Sequence, residues 1–356
     1  MSVTTPEAPG RAPAGHVRVS DVRRRLRVGR ARDLHLLRRI VPPAIGVAAV
    51  LALVLGVDPT DFGRAVSQFR VSLLPAIVAV SVGYYVLQGV RWHQLLRAIG
   101  VPLRLGQTVL INLAGQATAV LPLGELTRAV LVTEATGTPF GSVVATVTVQ
   151  ELIYTMVLIV FAVPGLLGVP HALPGVVAAL ALIALIFGAL SWCPMYRWLR
   201  AGVSHTPGLR RILHEVDELH NDMVLLTRDP VTLLGAWISA LQAAFIITAL
   251  WLVCEALAPG VLSWKAAALV FAVSNVAGAL SMIPGGIGAY EASVVGLLVG
   301  LGMNPGTATA VALVQRLTDK GLATAIGFGG YAVARRRMGL SGLGTLPVRR
   351  SLDQAA

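Results

Sequence analysis

At 356 residues, 55% hydrophobic and only 13% charged, with a mean hydropathy of +0.75, the chain has too few polar side chains to clothe a water-soluble domain. It reads as an all-α protein that crosses a membrane many times. A net charge of +12 would suit nucleic acid, but the arginines gather at the two termini and at the ends of apolar runs, the pattern that marks a cytoplasmic side, so no nucleic-acid partner is expected. Cys193 and Cys254 lie at or near the ends of apolar runs and suit packing better than a disulfide or a metal site.

Residues 1–38 open with Pro, Ala and Gly and continue into an arginine-rich run, which predicts a basic, disordered cytoplasmic tail. The apolar run 40–57 that follows lacks a small-residue cleavage site and is read as a retained helix. A spanning helix needs about 20 mostly apolar residues, and 40–57, 71–90, 142–168, 173–192, 231–256 and 306–334 qualify. Two more stretches, 105–135 and 264–303, are apolar but interrupted.

The first interruption is Leu121-Pro122-Leu123-Gly124-Glu125. The second is Ser281-Met282-Ile283-Pro284-Gly285-Gly286-Ile287-Gly288-Ala289-Tyr290-Glu291. Proline lacks an amide donor and glycine weakens a helix, so the chain leaves helical geometry at both places. Within lipid, such backbone is tolerated only where protein or a water-filled cavity surrounds it. Each interrupted stretch is therefore predicted to be a broken or re-entrant hairpin that enters and leaves on one side.

With the arginine tail inside, the charge rule can be followed along the chain. Arg91, Arg97 and Arg104 fall inside after the second helix, the segment from Arg197 to Asp229 falls inside, and Arg335-Arg336-Arg337 close the last helix on the same side. Both termini are expected in the cytoplasm, with residues 336–356 as a second basic tail and 39–335 as the membrane domain. The segment 207–229 places Leu209, Ile212, Leu213, Val216, Leu219, Met223 and Leu226 on one face and acids on the other, predicting an amphipathic cytoplasmic helix.

Residues 141–152 (GSVVATVTVQEL) lie over 306–317 (GTATAVALVQRL) without a gap and match at five positions, and Asn112 precedes the first break as Asn275 precedes the second. With the same order of helix, hairpin and helix, this predicts an inverted repeat of about 71–168 and 231–334, centred near the bilayer midplane.

Charges inside apolar stretches are few: Glu125 and Arg128 at the first break, Glu151, Glu291 after the second, and Arg316, Asp319 and Lys320, which share a face if the helix is regular. Such a charge costs about 2.5–3.5 kcal/mol at the bilayer centre and normally faces a cavity or a partner. In one reading Arg128 and Arg316 grip phosphate oxygens, the half-helix starts offer amides to the same anion, and Glu125, Glu151 and Glu291 balance the arginines or carry a proton or cation. Asn112, Gln116 and Asn275 line the cavity, with Pro284, Gly285, Gly286 and Gly288 shaping the second tip. In the other reading the charges are structural, Glu125 pairing with Arg128 one turn on and Glu151 with Arg316. Neither metal nor cofactor is called for: no Walker loop, H-E-x-x-H, G-x-S-x-G or Cys/His cluster occurs. Asp58 and Asp61 are the one pair of acids that could serve a membrane glycosyltransferase.

Arg91-Trp92 with Leu95-Leu96, Asn112 followed by Leu-Pro-x-Gly-Glu-x-x-Arg at 121–128, Val-Gln-Glu-Leu at 149–152 and Ile-Pro-Gly-Gly-Ile-Gly-x-x-Glu at 283–291 together resemble the lysylphosphatidylglycerol synthase transmembrane, or flippase-like, family over roughly residues 40–335. Leu123 stands where a glycine is common. The resemblance implies translocation of a lipid between leaflets of the inner membrane rather than its synthesis, since no soluble synthase domain is evident. The substrate would be an anionic phospholipid or a phosphate-linked glycolipid. The alternatives are a membrane enzyme or accessory subunit of polyprenyl-phosphate glycolipid assembly, or a scaffold, with a homo-oligomer or an envelope-synthesis protein as partner.

Overall fold

The computed structural model describes residues 59–118, 124–166, 213–281 and 283–339, with isolated positions between 174 and 201. All of them fall within the unit Gly46–Ala356. The expected helix 40–57, most of 173–192, the N-terminal tail and the chain beyond 339 lie outside the described residues.

Among the described residues every regular element is helical. After α1 (Pro59–Ser67) comes α2 (Leu74–Ala98), which carries Pro75 in its first turn, where the missing amide costs nothing. The first broken pair is α3 (Leu105–Gly115) and α4 (Thr127–Thr136), ended by Gly137 in the left-handed conformation. The long α5 (Phe140–Leu166) follows. Then come α6 (Leu213–Arg228), the short α7 (Pro230–Leu234) and α8 (Ala236–Leu257). The second broken pair is α9 (Trp264–Leu280), capped by the Ser263 hydroxyl, and α10 (Ala289–Gly300). Asn304 and Pro305 start α11 (Pro305–Arg316). A π turn over Leu317–Gly321 joins α11 to α12 (Leu322–Met338).

Three stretches, Val71–Ala98, Phe140–Leu166 and Pro230–Leu257, are long and apolar enough to cross a membrane; α9 and α10 are apolar but shorter. The helix expected at 71–90 continues to Ala98, because its polar last turns find partners. Arg91 donates to the Thr232 carbonyl at 2.7 Å, and the Trp92 indole donates to the Thr146 hydroxyl at 2.8 Å. The single helix expected at 306–334 is interrupted by the π turn.

The packing couples the two halves of the chain. α2 lies along α8, α3 lies on α12, and α9 lies on α5, so the first arm of each broken pair rests on the closing helix of the other half. α6 packs on α5, burying Met223 and Leu226 with Leu95, Ala145, Val149 and Ile153. Close backbone approach fixes the α3–α12 contact: a Cβ at Gly327 would overlap the Ala117 nitrogen, and one at Gly330 would stand 3.2 Å from the Ala114 nitrogen. Gly327→Val is expected to lever α12 off α3 and cost on the order of 3 kcal/mol in detergent unfolding. Gly329→Val, which faces open space, should change stability by no more than about 0.5 kcal/mol.

Candidate functional site

The first break is held by a polar hub inside the bundle. Arg128, in the first turn of α4, is fully buried. Its guanidinium donates to Asn112 Oδ1 at 2.9 Å and to Gln150 Oε1 at 3.3 Å, and pairs with Glu151 Oε1 at 2.9 Å. It also lies over the Trp92 ring, 5.2 Å from the centroid. Gly115 makes room, since a Cβ there would stand 2.8 Å from the Arg128 Cβ. The amides around the hub are linked to one another: Asn112 donates to the Tyr85 carbonyl and to Gln88 Oε1, Gln116 donates to Gln88 Oε1, and Gln150 donates to the Gln88 carbonyl, while Gln116 Oε1 and Arg128 Nε are buried without a hydrogen-bond partner among the described residues. A buried cation is tolerable only when surrounded in this way. Thr118 ties the two sides of the break together, its hydroxyl lying 3.2 Å from the Gly124 carbonyl oxygen and 2.7 Å from the Thr127 hydroxyl.

The second break uses the same elements with the charges exchanged. Pro284 opens a short turn in which Gly285, Gly286 and Gly288 have φ of 65°, 64° and 89°. These values strain any residue with a Cβ, and Gly286 also passes against the Gly278 backbone. Glu291, in the first turn of α10, reaches back to accept the Gly288 amide at 2.6 Å, and its other oxygen pairs with Arg316 Nε at 2.8 Å. Arg316 also donates to the Gly285 carbonyl and lies over the Tyr290 ring, 5.2 Å from the centroid. The two pairs differ in exposure: the Glu151 side chain is 42% exposed beside a buried arginine, and the Arg316 side chain is 19% exposed beside a buried glutamate.

A third contact joins the halves. The Tyr85 hydroxyl on α2 donates to Asp319 in the π turn. Tyr154 hydrogen-bonds Tyr84 and feels the charges of Glu151 and Asp319, while Tyr290 feels those of Asp319, Arg316 and Glu291.

The geometry revises several expectations. Glu151 pairs with Arg128, not Arg316, because α4 and α5 are neighbours and the aligned position in the other half meets its own partner, Glu291. The start of α10 is no open anion site, since Glu291 already occupies the Gly288 amide. Arg316, Asp319 and Lys320 do not act as one face: the π turn intervenes, Arg316 turns to the second break and Asp319 to α2. Lys320 is half-buried and has no ion pair among the described residues; Asn275 is half-buried and has no hydrogen-bond partner among them. The Glu125 side chain lies outside the described residues. Sequence reasoning gave no site role to Tyr85, Gln88 or Tyr154, and quoted Trp92, Gln150 and Tyr290 only within motifs. Gln88, a lone amide inside an apolar run, was the available signal for the hub.

On the charged side of the bundle, Asp217 of α6 accepts from Arg200 at 2.9 Å and from Tyr196, whose ring stacks on His220. Burial, and then that hydrogen bond, push the Tyr196 phenol up to about 12. Asp229 caps α7; the Thr232 hydroxyl and the first amides of the helix hold its carboxyl below the ordinary range. That contribution to stability is present above the ordinary carboxylate pKa and is lost as the pH falls through the lowered one.

Apolar helices long enough to cross a bilayer, packed with two broken helix pairs that carry ion pairs inside the bundle, define an integral, multi-pass membrane protein. Residues 39–327 match the family described as the lysylphosphatidylglycerol synthase TM region, and the chain belongs to that family. It is also similar to a UPF0104 membrane protein of Methanothermobacter thermautotrophicus, 25% identical over 312 residues that cover 80% of this chain and 90% of that protein.

Proposed function

We propose that the protein is a flippase that carries a phosphate-headgroup lipid across the cell membrane. The observation that carries this reading is the pair of ionised kernels at the breaks: each joins the start of a half-helix to the following helix, and each keeps one charged member partly exposed, Glu151 in the first and Arg316 in the second. Such exposure leaves one charge of each pair open to a headgroup, and isolated charge in the bilayer costs about 2.5–3.5 kcal/mol.

At about 1.5 Å per residue, α3 and α4 are near 16 and 15 Å long, half of a hydrocarbon core of about 30 Å. This supports a first hairpin that enters from the cytoplasm and turns back at the midplane. The exchanged packing of α3 on α12 and α9 on α5, with α2 along α8, supports two units in inverted orientation, about 71–168 and 231–334. Both termini then lie in the cytoplasm of an inner membrane. The lipid phosphate competes with Glu291 for Arg316 and the Gly288 amide, while the acyl tails remain in the bilayer. The substrate class is an anionic phospholipid or a phosphate-linked glycolipid, and no cofactor is required.

The test is a leaflet-resolved quenching assay in proteoliposomes with fluorescent phosphatidylglycerol and with a labelled polyprenyl-phosphate sugar. Protein-dependent loss of leaflet asymmetry for at least one of them is the expected result. Equal rates in protein-containing and empty vesicles for both lipids would overturn the reading.

A further inference from the structure

Of the intramembrane acids whose side chains are described, Glu151 and Glu291 are each held by an arginine. Asp319 is different. It is 8% exposed, its hydrogen-bond donor is the neutral phenol of Tyr85, and it has no ion-pair partner among the described residues. We propose that Asp319 is the proton-binding site of the protein, loaded and emptied as lipid moves, with Tyr85 as the group that positions its carboxyl. The proposal rests on the flippase reading and adds the coupling ion.

The surroundings single out this carboxyl. α2, α11 and α12 pack on the π turn. From α2 it meets Tyr85, which packs edge-on against Tyr84; the cation of α11, Arg316, is committed to Glu291 and the Gly285 carbonyl. Residues 322–330 of α12 hold no titratable side chain. Tyr154 of α5 and Tyr290 of α10 are within electrostatic range, and Lys320 follows in the turn itself. The carboxyl is buried, is held by a phenol, and lies beside a helix whose own guanidinium is committed elsewhere.

The same atoms convert that proton into movement. Ionised, Asp319 accepts the hydrogen bond of the Tyr85 hydroxyl and ties the π turn to α2, across the two halves of the chain. Protonated, it is neutral and can leave the phenol without stranding a charge. A π turn inside a long helix is a frequent mark of a functional site, and here it carries the carboxyl that would move.

Infrared difference spectroscopy on the full chain in nanodiscs reads the site directly. The wild type is expected to show a protonated-carboxyl carbonyl band that disappears as the pH is raised, is missing from Asp319→Asn and is shifted in frequency in Tyr85→Phe. A titrating band unchanged in Asp319→Asn, or no such band in the wild type, overturns the proposal. In proteoliposomes a proton gradient of one pH unit should shift the steady-state leaflet ratio of the labelled lipid by up to about tenfold for one proton per lipid. In Asp319→Asn the ratio should ignore the gradient, and Asp319→Glu should restore part of the response. A wild-type ratio indifferent to the gradient overturns the coupling. If no lipid moves in any vesicle, the flippase reading fails, while the infrared band still decides the proton site.

Discussion

Replacing Arg128 by methionine is expected to abolish lipid movement and to destabilise the protein by about 3–5 kcal/mol, the cost of leaving buried polar groups without their cation. Methionine fills much of the same volume, so the loss is electrostatic. Asn112 Oδ1, Gln150 Oε1 and Glu151 Oε1 all lose a donor at once. Arg128→Lys should rescue little, because a single ammonium cannot reach three acceptors spread around a planar fork. The double variant Arg128→Met, Glu151→Leu removes both charges and should recover most of the stability, as apolar replacement of buried pairs does elsewhere. Lipid movement should stay absent in it. Denaturant titration in detergent and the leaflet assay on the same preparations separate the two effects; a double variant that regains transport would show the pair to be structural only.

The second large effect is expected at Glu291, where two substitutions divide its two contacts. Glu291→Ala removes both the acceptor for the Gly288 amide and the counter-charge of Arg316. It should cost about 3–5 kcal/mol from the stranded arginine and about 1 kcal/mol from the lost cap. Glu291→Gln keeps a carbonyl oxygen for the Gly288 amide and loses only the charge, so its stability should fall between wild type and Glu291→Ala. Both are expected to lose transport. If Glu291→Gln moved lipid at the wild-type rate, the charge would be dispensable and competition between Glu291 and a lipid phosphate would be ruled out.

Both positions were visible in the amino-acid sequence, and their partners were not. A charge inside an apolar run announces itself by its rarity, and proline with several glycines marks where a helix must stop, so Arg128, Glu151, Glu291, Arg316 and the break at 283–288 could be read directly. Pairing is a matter of which helices become neighbours. Spacing along one helix suggested Glu125 for Arg128, and the alignment of the halves suggested Glu151 for Arg316, but α5 brings Glu151 to Arg128 and leaves Arg316 to Glu291. The π turn was hidden for a similar reason: one extra residue per turn leaves no trace in hydropathy, yet it sends Asp319 toward Tyr85. Aromatic side chains in apolar runs look like packing, so Trp92 and Tyr290 gave no sign that each would cover a guanidinium. The length of α2 was underestimated because Arg91 looked like an end, whereas it is buried against the Thr232 carbonyl.

Each ion pair is local to its half of the chain: Arg128 and Glu151 lie within residues 71–166, and Glu291 and Arg316 within 230–338. Each of these two pairs is therefore neutralised within its own half. Had Glu151 been bonded to Arg316, sliding one half past the other would have meant pulling opposite charges apart where little water can screen them, a Coulomb barrier far above thermal energy. With those charges cancelled inside each half, relative displacement stretches neutral contacts, the Arg91 hydrogen bond to the Thr232 carbonyl and the Tyr85–Asp319 hydrogen bond. The bundle can thus hold ionised groups at membrane depth and still shear along the seam between α2 and α8.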